Sequence, residues 1–94
     1  MDERLDIDID ANLRRGEALF MEGMLDEAEG IFREILRLKP DHCETLNNLG
    51  VISYKRGTIE EAEQFFQKAA GINRNYTEAL SNLAALHEHR KQGH

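Results

Sequence analysis

The sequence is poor in the residues that most often staple a fold or mark its chemistry. It has a single cysteine, Cys43, so it holds no internal disulfide framework. A chain without disulfides fits a reducing compartment, and a cytoplasmic location is the default expectation. No apolar run approaches the ~20 residues that span a bilayer, and no membrane association is expected. The acidic start, MDERLDIDID, lacks the pattern of a signal peptide. Basic residues are outnumbered, with 12 Lys and Arg against 18 Asp and Glu, for a net charge of −6. That balance argues against a nucleic-acid binder, which needs a basic face to displace counterions from phosphates. The sequence also lacks a phosphate loop, a nucleophile elbow and any cluster with metal-ligand spacing. The expectation is a protein that is not an enzyme and has no cofactor and no metal.

What is present is a repeat. The stretch Gly57 to Ala69, GTIEEAEQFFQKA, has a near-copy at Gly23 to Ile35, GMLDEAEGIFREI. Gly23 and Gly57, Glu27 and Glu61, Ala28 and Ala62, Glu29 and Glu63, and Phe32 and Phe66 are each 34 residues apart. A fixed period of this size marks stacked structural units, and such units usually build binding surfaces.

The local signals are helical throughout. A stripe of Leu5, Ile9 and Leu13 continues to Gly16 and Phe20, which places a first helix from between Asp6 and Asp10 to about Glu22. Gly23 and Met24 form a turn. A second helix runs from about Leu25 to Leu38 and is stopped by the only proline, Pro40. The third is expected to start with a capping box of Asp41 and Glu44 and to reach about Arg56. The fourth covers Ile59 to Ile72, with Thr58 and Glu61 as its capping box. The fifth runs from Tyr76 or Thr77 to about Lys91, and Asn75 and Glu78 repeat the device. Turns this short require neighbouring helices to lie antiparallel. Gly16 and Gly50 fall inside helices, where glycine costs about 1 kcal/mol against alanine. The cost makes sense where a facing element must come close, and Ala84 holds the third equivalent slot.

At these positions the chain resembles the tetratricopeptide repeat, a 34-residue helix–turn–helix unit. The best match is Cys43 to Tyr76, with Leu46, Leu49, Gly50, Gly57, Ala62, Phe66 and Ala69 in the repeat's signature slots and Tyr54 one place late. Arg74 stands where proline is usual. The first unit keeps Gly16, Gly23, Ala28, Phe32 and Pro40 but has Asn12 and Arg15 in slots that are normally apolar. The resemblance implies an all-α fold, a short right-handed superhelix of five helices. It divides into an acidic lead-in (1–8), repeat 1 (9–42), repeat 2 (43–76), a half repeat or capping helix (77–91) and a tail (92–94). It further implies protein or peptide binding in a concave groove lined by the first helix of each pair. The leading methionine fits a natural start, and the closing half repeat fits a piece of a longer array.

The 34-residue spacing names the groove's rows. Candidate binding residues are Arg14, Glu17, Glu44, Asn47, Asn48, Val51, Lys55, Glu78 and Asn82. Asn48 and Asn82 lead, because an asparagine amide offers donor and acceptor together and can engage a peptide backbone without reading its side chains. The resemblance extends here to the asparagine ladder of the tetratricopeptide domain of O-linked GlcNAc transferase, with Arg14 breaking the ladder in the first unit. A carboxylate clamp of the chaperone-adaptor type is disfavoured. Asn48 matches one of its asparagines, but the other slots hold Leu13, Glu17, Glu78 and Asn82, with no lysine or arginine. The acidic row Asp10, Glu44 and Glu78 is read as a solvated face that doubles as helix caps, and Phe20 and Tyr54 are read as core.

Three features read as inert. His87 and His89, at i and i+2, point to different helix faces and cannot share a metal. Cys43 stands at a helix start, where the dipole would favour a thiolate, but fits an unreactive cysteine at a repeat junction. The paired glutamates around Ala28 and Ala62 fit a solvent edge. Two alternatives to peptide binding stand beside it. One is a homodimer formed through Leu80, Leu83 and Leu86 of an apolar fifth helix. The other is an adaptor domain of a larger enzyme, such as a glycosyl- or methyltransferase.

Overall fold

The computed structural model describes residues 8–92. The stripe residue Leu5, most of the acidic lead-in and the last two tail residues lie outside them. Five helices follow one another: α1 (Ile9–Met21), α2 (Leu25–Leu38), α3 (Cys43–Lys55), α4 (Ile59–Ile72) and α5 (Thr77–Gln92). They pack in chain order, α1 on α2 and α3 on α4 within pairs, α2 on α3 and α4 on α5 between them. No described helix is long and apolar enough to cross a membrane.

The first helix of each full pair ends in the same device. Gly23 and Gly57 take φ of 82° and 84°, a conformation open to glycine because it has no Cβ. At the first turn the Gly23 amide donates to the Phe20 carbonyl at 2.9 Å and the Met24 amide to Leu19 at 2.9 Å. At the second, Gly57 donates to Tyr54 and Thr58 to Ser53, both at 3.0 Å. These two crossed bonds form a Schellman motif and satisfy carbonyls the helix leaves open. The second helices end differently. Lys39, before Pro40, leaves the helical region at φ −141° and ψ 85°, since proline disfavours a helical residue before it. Asn73, before Arg74, is extended all the same, at φ −129°. Its carbonyl accepts from the Tyr76 amide and its side chain from the Asn75 amide, each at 3.0 Å. The side chain of Asn73 thus holds a break that proline enforces one repeat earlier.

The starts depart from the sequence reading. Only at α1 does the described N-cap use a side-chain acceptor: the Asp8 carboxylate takes the Ala11 amide at 3.0 Å. The Asp41–Glu44 box does not form. The N-cap of α3 is His42, whose Nδ1 lies 2.8 Å from the Thr45 hydroxyl. Thr58 occupies the N-cap of α4 but donates its hydroxyl backwards, to the Ser53 carbonyl at 2.9 Å. Its expected partner Glu61 instead accepts from the Ser53 hydroxyl at 2.8 Å. The side chains are drawn to groups on the preceding helix, which a pattern within one helix does not reveal.

The core repeats with the sequence. Phe32 and Phe66 are buried, and each drives its ring against the glycine of the facing helix. A Cβ built on Gly16 would lie 2.5 Å from Cε1 of Phe32, and one on Gly50 would lie 2.4 Å from Cε1 of Phe66. This is the close approach for which the two mid-helix glycines are spent. Leu13, Ala28, Phe32, Ile35, Leu49 and Ile52 form one cluster spanning α1 to α3. Ala62, Phe66 and Leu86 form another, with Val51, Ile59 and Leu83 against it. Asn12 and Arg15 sit at the slots that Leu46 and Leu49 fill, buried, one repeat later. In the first repeat these polar residues instead line a surface hollow of about 410 Å³ between α1 and α2. No described helix precedes α1 to bury them.

Ionic bridges cross at both junctions between the pairs among the described residues, and at the second Arg90 of α5 meets Glu63 of α4 at 3.0 Å. Arg56, the C-cap of α3, donates to Glu29 at 2.5 Å and also pairs with Asp26, both on α2. Arg56 and then Arg33 hold the Glu29 carboxyl below its ordinary range. Exposed pairs of this kind contribute little each.

Candidate functional site

The first helices α1, α3 and α5 together line a cleft of about 280 Å³. Glu17 and Phe20 come from α1, Asn47, Asn48 and Val51 from α3, and Glu78 and Asn82 from α5. The ring of Phe32, on α2, reaches its floor. Two polar side-chain pairs tie the helices across it. Asn48 Nδ2 donates to Glu17 Oε2 at 3.2 Å, linking α3 to α1. Asn82 Nδ2 donates to Asn47 Oδ1 at 2.9 Å, linking α5 to α3. A second hollow of about 130 Å³ adjoins the cleft, sharing Val51 and Asn82 and otherwise lined by Tyr54, Phe66, Ala85 and Leu86.

This arrangement of a repeated helix pair with first helices on one face is what the comparisons with known proteins select. One tetratricopeptide-repeat family model matches residues 8–42 and a second matches residues 43–76. The chain belongs to the tetratricopeptide-repeat family. It carries two full repeats and α5, all-α, in sequential pairs. Among solved structures it is similar to that of YrrB, a tetratricopeptide-repeat protein described as having an unusual peptide-binding site. The TM-score is 0.75 at 32% identity, over 80% of this chain. This chain spans 39% of the YrrB chain. No curated protein matches at a significant level. Tetratricopeptide repeats are typically protein- or peptide-binding modules, and these repeats are the only family found in the chain.

In this tetratricopeptide array the sequence-named residues divide. Glu17, Asn47, Asn48, Val51, Glu78 and Asn82 line the cleft. Arg14 and Glu44 are exposed outside it. Lys55 also stands outside, with its ammonium 5.6 Å from the centre of the Phe20 ring. Asn47 does not present a free surface amide. It is 3% exposed, and its side-chain oxygen is occupied by Asn82. A buried amide needs a partner, and α5 supplies it.

Three further expectations are corrected. Leu86 is 1% exposed and belongs to the Phe66 cluster, so it is not available to a dimer interface. Leu83 is half-buried against the same cluster, and only Leu80 of the three is exposed, at 46%. Tyr54 is not core. It is 40% exposed, with its hydroxyl 3.3 Å from Nδ1 of His89 and the two rings edge to face. Tyr54 of this pair lines the small hollow. The pair's signal was the 35-residue separation, one repeat plus one, which also relates Asn47 to Asn82.

Around Cys43 the chemistry is quiet. Its thiol donates to the Ala69 carbonyl at 3.5 Å. Burial, and then Asp41, push its pKa up, away from the thiolate. The Tyr76 phenol is likewise pushed up by burial and then by the carboxylates of Glu78 and Glu44. Among the described residues no group of His, Cys, Asp and Glu is placed to hold a metal ion.

Proposed function

We propose that this chain is a peptide-binding module that holds an extended segment in the cleft across α1, α3 and α5, with Asn48 and Asn82 as the backbone contacts. One observation carries the reading. Each of these two amides spends one N–H on a neighbouring side chain and is thereby oriented. Each keeps a carbonyl oxygen and a second N–H, the complement of a peptide unit. Oriented donors lose less freedom on binding than free ones. The peptide-binding site described for YrrB supports the reading without identifying the ligand.

The test is the double variant Asn48→Ala/Asn82→Ala, titrated with a fluorescent peptide selected from a random decapeptide library. Loss of two amides is expected to weaken binding about 10- to 100-fold, at roughly 0.5–1.5 kcal/mol per hydrogen bond. Unchanged affinity in a variant of unchanged helicity would refute the role.

A second reading rests on α5. Ala84 occupies the slot that in Gly16 and Gly50 receives a phenylalanine ring, and it is exposed together with Leu80. A second copy of the chain covering this face is the alternative. Light scattering over a range of concentrations then gives a dimer that Leu80→Glu dissociates, and a monomer throughout rejects it.

A further inference from the structure

The cleft carries more than a backbone grip. Its lining holds two carboxylates, Glu17 and Glu78, and no cation. Among the described residues neither has a salt-bridge partner: Glu17 is engaged only by the neutral amide of Asn48. The nearby cation Lys55 is turned onto the Phe20 ring. Beside these carboxylates lies the smaller hollow, apolar on most sides through Val51, Phe66, Ala85 and Leu86. Its volume of about 130 Å³ is just under the ~150 Å³ that takes a benzene ring. A valine, leucine or proline side chain fits that space, and an indole does not. The overall charge of −6 acts in the same direction as the cleft.

We infer that the groove is selective for an extended basic segment: a lysine or arginine side chain set between Glu17 and Glu78, with a compact apolar side chain seated in the Val51–Ala85 hollow. This inference rests on the peptide-binding reading above and adds the chemistry of the partner. Charge complementarity sets which segments approach, because a like-charged side chain in the cleft is strongly disfavoured. The apolar hollow sets register, because burial of one aliphatic side chain is worth about tenfold or more in affinity. Asn82 borders both compartments and so fixes the distance between the two recognised side chains.

The experiment uses fluorescein-labelled decapeptide mixtures in which Lys, Glu, Leu or Trp is fixed at each position in turn, read by polarisation against the full chain. Mixtures with Lys fixed near the centre are expected to bind best, and those with Glu there at least tenfold more weakly. A neighbouring position is expected to prefer Leu over Trp. Glu17→Gln/Glu78→Gln keeps the hydrogen-bond acceptor for Asn48 and removes the charge. It is expected to lose about 3- to 10-fold on the Lys mixtures and to flatten their salt dependence. Ala85→Leu, at an exposed site, fills the hollow and is expected to abolish the Leu preference while leaving the Lys preference intact. If mixtures bind through Asn48 and Asn82 with no gain from Lys and no loss on Ala85→Leu, the groove reading stands and this inference is wrong. If no mixture binds, both are wrong.

Discussion

Phe66→Ala is expected to cost about 3–5 kcal/mol of unfolding free energy, the range for deleting a buried aromatic side chain and leaving its cavity. Phe66 is 2% exposed and fills the contact between α4 and the Gly50 surface of α3, with Ala62 and Leu86 beside it. The lower part of the range applies, because the adjoining hollow admits water and relieves part of the cavity. Whole domains have only about 5–15 kcal/mol to lose, so a shallow, largely unfolded baseline at 37 °C is the expected appearance of this variant. The neighbouring Phe65 is only half-buried, with Arg33 5.9 Å from its ring centre. Phe65→Ala is expected to lose less than half as much. Urea unfolding followed by circular dichroism compares the two, and equal losses would show that the pairing of Phe66 with Gly50 is not the keystone contact.

Gly50→Ala is the converse experiment, adding volume at the same contact. Alanine gains about 1 kcal/mol in helix propensity over glycine. Against this, its Cβ would stand 2.4 Å from Cε1 of the buried Phe66 ring, so the ring or the facing helix must shift. Overpacking typically costs about 1–3 kcal/mol, so the net effect is a loss, a fall in Tm of roughly 4–8 °C per kcal/mol for a domain of this size. Gly30 supplies the control. It lies inside α2, and a Cβ added there would meet nothing within 4 Å, so Gly30→Ala is expected to gain about 0.5–1 kcal/mol. Two glycine-to-alanine changes in helices of one chain therefore move Tm in opposite directions. In Gly50→Ala/Phe66→Leu, the smaller side chain is expected to recover part of the loss, giving a measurable coupling between sites in direct contact. A stabilised Gly50→Ala would mean that the ring moves aside at little cost.

The repeat's scaffold is visible in the sequence because it is written twice. Gly23 and Gly57 serve the same left-handed turn, and Gly16 and Gly50 the same ring contact, so either copy serves to interpret the other. The candidate cleft was half legible. The 34-residue spacing places Glu17, Asn48, Val51, Glu78 and Asn82 on one surface, because equivalent residues of stacked helices face the same way. It does not say how deeply each is set. Asn47, adjacent to Asn48, turns inward, and Tyr54 turns outward. The Thr58–Glu61 capping box failed for a related reason. Short polar side chains at a helix start choose between their own backbone and groups on the previous helix, and here Thr58 and Glu61 both find Ser53.

The sequence by itself determined the helices, their order, the two glycine turns and the need for a close approach at Gly16 and Gly50. These depend on local stereochemistry and on a period that the chain repeats. The tertiary structure alone decided which amides are occupied, which leucine of α5 is left exposed, and that two carboxylates with no salt-bridge partner among the described residues stand next to an apolar hollow. Those depend on small rotations of one helix against the next, which move a side chain between core and surface without altering the pattern along the chain.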